Sequence, residues 1–369
     1  MILLFLSSGL FLGWSLGAND AANVFGSAVG SKMISFKKAT IIAGIFVIIG
    51  AVVQGYGASD TLCQLGQINA LAGSFTVALS AAITVFFMTR MKIPVSTSQA
   101  IVGAIIGWNF YSGNATDYNS LGTIVFAWLL GPVLGALFAI ILFLLLKKIL
   151  LKSKIHLLRL DASIRFALII IGAFGAYSLG ANNIANVMGV FIDSINIPSI
   201  NFFNIIVLSG TQQLFFIGGL AIAIGILTYS KKVIKTIGNN ILSLTSETAM
   251  VVVLSQALVL FIFSSQSLAS AMKAIGLPAF PLVPVSSSQI IVGAILGIGL
   301  LKRAHEINLK TLGQISMGWI ATPLIACIIA FFSLFVVNNV FKQEVFKTKI
   351  TVKMKSNNDK RMLSDKHLF

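Results

Sequence analysis

The sequence predicts an all-α polytopic membrane protein of two inverted-topology repeats, with broken helices that can be re-entrant and about 10–12 membrane segments. Three observations predict it. Of the 369 residues, 57% are hydrophobic and only 10% charged, and the mean hydropathy is +0.97, which excludes a soluble domain for most of the chain. The chain also repeats itself: GANDAANV at Gly17 to Val24 returns as GANNIANV at Gly180 to Val187, and IPVSTSQAIVGAIIG at Ile93 to Gly107 returns as VPVSSSQIIVGAILG at Val283 to Gly297. Gly122, Trp128 and Pro132 return, with the same spacing, as Gly313, Trp319 and Pro323. Finally, the basic residues are confined to alternate loops.

Apolar segments run at 2–24, 39–58, 74–89, 94–111, 121–146, 166–187, 205–227, 241–264, 284–301 and 312–337. Each is near the ~20 residues that span the hydrocarbon as a helix. The opening MILLFLSSGL has no basic flank and no small-residue cleavage site before GAND, so a cleaved signal peptide is not expected. Lys32, Lys37 and Lys38 follow the first segment, Arg90 and Lys92 the third, and Lys147, Lys148, Lys152, Lys154, Arg159 and Arg165 the fifth. Lys231, Lys232 and Lys235 follow the seventh, and Lys302, Arg303 and Lys310 the ninth, whereas the even-numbered loops hold only Lys273. This bias places the odd loops in the cytoplasm and the N-terminus outside, in a plasma membrane of the inner-membrane type. The basic tail from Lys342 onward runs against it; its last ~25 residues are polar, lack apolar periodicity and are expected to be poorly ordered.

The net charge of +16 is therefore a topology signal and does not mark a nucleic-acid surface. Five segments per copy is an odd number, so the second copy enters the membrane from the opposite side. The expected organisation is a first repeat at 1–150, a basic cytoplasmic connector at 151–165, a second repeat at 166–340 and a polar basic tail at 341–369.

The most polar stretches are also those that repeat best, although unpaired polar groups in a bilayer cost several kcal/mol each. In GANDAANV, Gly17 is expected to loosen the helix, and Asn19, Asp20 and Asn23 gather oxygens over about two turns. Unwound carbonyls with a carboxylate and amides form a site for a hard cation such as sodium. Asn182, Asn183 and Asn186 repeat the pattern without the acid. Asp20 and Glu247 are the acidic residues inside apolar segments, which makes Asp20 a functional candidate. For Glu247, ion binding competes with helix capping.

Pro94-Val95-Ser96-Thr97-Ser98-Gln99 and Pro284-Val285-Ser286-Ser287-Ser288-Gln289 each read as the start of a helix, with proline and hydroxyl caps ahead of an apolar run. Such starts offer free N–H groups, hydroxyls and the positive end of a helix dipole. Two of them face to face form a donor-rich cage suited to a small tetrahedral oxyanion. With no Lys or Arg inside a segment, bound cations would balance the anion's charge.

Other chemistries find little support. Cys63 and Cys327 provide neither a disulfide framework nor a metal-ligand spacing, and His156, His305 and His367 lie outside the segments. The serine clusters have no neighbouring His or acid, and no GxxxxGK(S/T) loop occurs, so neither an enzyme nor an ATP-driven pump is indicated.

These paired motifs resemble the inorganic phosphate transporter family (PiT), whose members carry GANDxAN in each half and PVS(T/S)(T/S) downstream; the resemblance spans roughly residues 9–337. It implies an inverted-repeat carrier that moves phosphate with a cation. Its binding residues would fall on Asp20, Asn23, Ser96, Thr97, Ser98, Asn183, Asn186, Ser286, Ser287 and Ser288. Many relatives have His where this chain has Gln99 and Gln289, and the second GAND is here GANN. Absence of both histidines turns the expectation from proton to sodium coupling. The expected assignment is phosphate on Ser96, Thr97, Ser98, Gln99, Ser286, Ser287, Ser288 and Gln289, and sodium on Asp20, Asn23, Asn183, Asn186 and Glu247. Phosphate, sodium and the lipid bilayer are the expected partners, with a homodimer as the assembly. The competing readings are a proton-coupled phosphate carrier, a carrier of another oxyanion such as sulfate, and a phosphate-binding receptor or channel.

Overall fold

The computed structural model describes residues 2–30, 32–91, 95–152, 156–202, 206–231, 245–302 and 309–347. The first half contains α1 (Ile2–Gly30), α2 (Phe36–Gln54), a short α3 (Tyr56–Gly66), α4 (Leu71–Arg90), α5 (Thr97–Ser112) and α6 (Tyr118–Lys152). The second half opens with α7 (Leu157–Met188) and a hairpin of β1 (Ile200–Phe202) antiparallel to β2 (Ile206–Leu208), with Ile200 opposite Leu208. It continues with α8 (Gly210–Thr228), α9 (Ser246–Ser264), a short α10 (Gln266–Ala274), α11 (Ser287–Lys302) and α12 (Leu309–Asn339). Helices α6 and α7 extend into the stretch expected to be a connector and leave residues 153–156 between them. The tail beyond Lys347 lies outside the described residues.

Among the described residues, 8 helices are long and apolar enough to cross a membrane: α1, α2, α4, α6, α7, α8, α9 and α12. The protein is a multi-pass membrane protein. The two other apolar segments form α5 and α11, of 16 residues each. At 1.5 Å per residue these are roughly 24 Å long, short of the ~30 Å hydrocarbon core. Chain without regular structure leads into both, at Val95–Ser96 and at residues 281–286.

The expected breaks at the GAND and GANN motifs are not present: α1 runs unbroken through Gly17–Val24, and α7 through Gly180–Val187. These glycines serve close approach. A Cβ on Gly17 would strike the carbonyl of Ile222 in α8, and one on Gly180 would strike that of Val47 in α2. The partners answer in kind, with Gly225 of α8 against the Trp14 carbonyl and Gly50 of α2 against that of Tyr177. Small residues let backbones meet where lipid provides no hydrophobic drive between helices. A second reciprocal set joins Gly103 of α5 to the carbonyl of Pro323 in α12, and Gly293 of α11 to that of Pro132 in α6. In each pairing a helix of one half lies on a helix of the other.

Contacts sort the loops into two ends. At one end, Asn109 donates to the Leu65 carbonyl and to Thr116, Ser74 donates to the Val190 carbonyl, and Thr61 donates to that of Leu282. At the other, Arg165 donates to the Met33 carbonyl, and the ammonium groups of Lys231 and Lys302 lie over the rings of Phe36 and Phe143. The described basic residues Arg165, Lys231 and Lys302 therefore share one end. Between these ends α1, α7, α5 and α11 each run opposite to their counterparts in the other half.

Beyond α12 the chain forms a strap at the end away from the basic loops. Val345 is fully buried and its carbonyl accepts from the indole of Trp108, 3.0 Å away. Asn69 grips the backbone of Lys347 through two hydrogen bonds of 2.9 Å, one donated and one accepted.

Candidate functional site

Four segments converge inside the bundle: the middle of α1, the C-terminal third of α7, and the N-termini of α5 and α11. Ser96 caps α5 by accepting from the Gln99 N–H at 3.3 Å, and Ser286 accepts from the Gln289 N–H at 3.3 Å. The first N–H groups of both helices are thus left without intrahelical acceptors, as at any helix start. Ser96, Thr97, Ser98, Gln99, Ser286, Ser287, Ser288 and Gln289 are all buried.

Hydrogen bonds tie these starts to the GAND and GANN helices across the two halves. Ser287 of the second half donates to Asp20 Oδ2 of the first at 2.8 Å, and Asn19 donates to Asp20 Oδ1 at 2.8 Å. In the reverse sense, Asn186 of the second half donates to Ser98 Oγ of the first at 2.9 Å. Asn186 also donates to Asn183 Oδ1 at 3.0 Å. Asn182 holds the lead-in to α11 by both backbone groups of Val285, donating to its carbonyl at 2.9 Å and accepting from its N–H at 3.0 Å. Ser98 reaches the same Val285 carbonyl at 3.1 Å.

Among the described residues Asp20 is the one buried acid, and no Lys or Arg is buried. Its donors are neutral, so its charge has no cationic side chain to balance it. A buried carboxylate in that state is costly unless a cation joins it. Around it, Thr97 Oγ1, Gln99 Oε1, Gln289 Oε1, Asn183 Nδ2 and Asn186 Oδ1 are buried without hydrogen-bond partners. Both donors and acceptors are left open, as a site for an anion together with a cation requires.

The expected site residues are largely brought together, with two exceptions. Asn23 is half-buried, one turn beyond Asn19 on α1. Glu247 stands in the first turn of α9, half-buried, and shares no hydrogen bond or ion pair with the cluster among the described residues. Its place there complements the positive end of the helix dipole. Pro94 lies outside the described residues. The clamp of Asn182 on Val285 was not foreseen, since a motif shows composition and does not show which backbone its amides hold.

A family model described as the phosphate transporter family matches residues 16–162 and again residues 152–330. The chain belongs to that family. It is therefore a transporter and no enzyme, as its archaeal relatives' names also imply. Those relatives carry the name "putative phosphate permease": one from Methanocaldococcus jannaschii is 30% identical over 87% of this chain and 93% of its own. One from Pyrococcus horikoshii is 26% identical over 89% of this chain and 96% of its own. Among solved structures, one titled "The sodium-dependent phosphate transporter" superposes with a TM-score of 0.72 at 20% identity, covering 91% of this chain and 98% of that one. At that identity the likeness concerns the fold.

Proposed function

We propose that this phosphate transporter family member imports inorganic phosphate by coupling it to sodium, through alternating access around the convergence of α1, α5, α7 and α11. The observation that carries the reading is Asp20: a buried carboxylate, held by Asn19 and Ser287, at the seam between the halves and without a basic partner among the described residues. Sodium supplies the charge that Asp20 and the incoming anion both lack. The N-termini of α5 and α11, with their serine and threonine hydroxyls, receive the phosphate oxygens.

The antiparallel course of matched helices and their reciprocal glycine contacts support reading the halves as inverted repeats, whose relative movement exposes the site to each side in turn. The basic loops mark the cytoplasmic end, so both the N-terminus and the strap face outside, in a plasma membrane. Because α1 and α7 are unbroken at their motifs, the cation is held by side-chain oxygens more than by unwound carbonyls. Asn183 and Asn186, bonded to each other within the cluster, and Asn23, less buried and one turn from Asp20, are the amides that would contribute.

Radiolabelled phosphate uptake into liposomes tests this, with an inward sodium gradient against an equal potassium gradient at fixed pH. Sodium-dependent uptake that Asp20→Asn abolishes is the expected result. Uptake driven by a pH gradient and indifferent to sodium would replace the proposal with a proton-coupled carrier. Sulfate uptake in place of phosphate would make this a carrier of another oxyanion, and tight phosphate binding with no uptake would make it a receptor.

A further inference from the structure

Helix α9 carries a buried, unpaired amide that the site described above does not use. Gln256 sits in the run VVVLSQALVLF, is 2% exposed, and has no hydrogen-bond partner for either Oε1 or Nε2. Its neighbour Ser255 meets the same surroundings by donating to the Val251 carbonyl one turn back. An amide is too long for that solution, and leaving both its ends unpaired inside an apolar bundle is costly.

The packing of α9 shows where Gln256 points. At ~100° per residue, Val253 and Ala257 lie to one side of it, and both face Gly175 of α7, which also touches Val24 of α1. Val252 lies to the other side and packs with Ala139 of α6 and with Ala294 and Ile298 of α11. Gln256 therefore faces the seam where α1 and α7 meet α11.

Its height follows from a shared anchor. The Val283 N–H donates to the Phe263 carbonyl at 3.1 Å. From Phe263 back to Gln256 is roughly 10 Å of helix, and from Val283 to Ser286–Ser287 is at most about 10–13 Å of chain. Both run toward the basic end, so Gln256 lies level with the start of α11.

We propose that Gln256 is a further ligand of the transport site, its Oε1 contacting the co-transported cation beside Asp20. Val24 of α1, which meets Gly175 together with Val253 and Ala257, adjoins Asn23 in the chain and lies one turn from Asp20. Gln289 Oε1 and Asn186 Oδ1 are likewise acceptors without donors, and neutral oxygens with one carboxylate form a hard-cation set. The assignment rests on the sodium-coupled reading given above.

The test uses the full-length wild type and Gln256→Leu, in detergent for sodium-induced thermal stabilisation without phosphate, and in liposomes for uptake. The expected result is a tenfold or greater rise in half-saturating sodium and a smaller thermal shift. Half-saturating phosphate, measured at saturating sodium, changes less than about threefold. An unchanged sodium response, or a shift confined to phosphate, overturns the assignment. Should the leucine variant not fold, Gln256→Glu keeps the shape and adds charge, and sodium affinity equal to wild type in that variant overturns it equally. A wild type that transports phosphate with no response to sodium overturns the coupling reading and this assignment together, whereas a responsive wild type with an unresponsive variant overturns only the latter.

Discussion

Asn19 is followed by a carboxylate in the first half, and its counterpart Asn182 is followed by an amide in the second. The frames around them match. Gly17 and Gly180 lie against backbone carbonyls of the other half, both helices run unbroken, and each faces a serine-capped helix start. The hydrogen bonds nevertheless differ: Ser287 donates to Asp20, whereas Thr97, at the position matching Ser287, has no partner. The second half instead spends Asn182 on fixing Val285 and Asn186 on holding Ser98. Duplication thus supplied a symmetric scaffold, and a single Asp-to-Asn difference concentrates the charge, and with it the demand for a cation, on one side.

Removing the difference should have the largest effect. Asp20→Asn makes the halves equal, and loss of a buried charged partner costs roughly 2–5 kcal/mol, so sodium-driven uptake should fall on the order of 100-fold or more while the protein still folds. Restoring symmetry the other way, by Asn183→Asp in the wild type, should add a second cation requirement, seen as a steeper dependence of uptake on sodium.

The scaffold should answer symmetrically where the site does not. Gly17→Val and Gly180→Val each drive a side chain into a backbone carbonyl, and both should destabilise by about 3 kcal/mol or more, lowering the melting temperature in detergent by similar amounts. Unequal losses would mean that the reciprocal contacts carry unequal load. A smaller difference separates the hydroxyls: Ser287→Ala removes a hydrogen bond to a charged group, about 1.5–3 kcal/mol, and should raise half-saturating sodium about tenfold. Thr97→Val removes no existing bond, so it should leave sodium affinity nearly unchanged and weaken phosphate only. The smallest effect belongs to Asn69→Ala, which should cost roughly 1–2 kcal/mol of stability by unpairing the strap and leave coupling intact, read as melting temperature against uptake.

Much of this was legible in the residues. The helical class, the duplication and the convergence of the serine turns with the GAND and GANN motifs follow from polar residues repeating in apolar surroundings. The continuity of α1 and α7 was not, because glycine among polar residues reads the same for a loosened turn as for a backbone contact; only the facing Ile222 and Val47 carbonyls decide. The fourth and ninth apolar segments were expected to span but form helices of 16 residues, since Val95 and Val285 are as apolar in a non-helical lead-in as in a helix. Glu247 read as a site candidate through being acidic near a span, yet its depth depends on where α9 begins. Gln256 was overlooked because no repeat marks it; its signal is a lone long amide amid valines and leucines.

The strap has a mechanical consequence. Trp108 is tied to Val345, the Tyr111 hydroxyl accepts from Asn338 and Asn339 at 3.0 and 3.3 Å, and Gly103 and Gly107 seat α5 along the carbonyls of Pro323 and Cys327. Helix α5 is thereby moored to α12 along its length and at its C-terminal tip, whereas among the described residues the tip of its counterpart α11 is held by Lys302 over the ring of Phe143. Any rocking of the bundle must carry α5 and α12 as one lever.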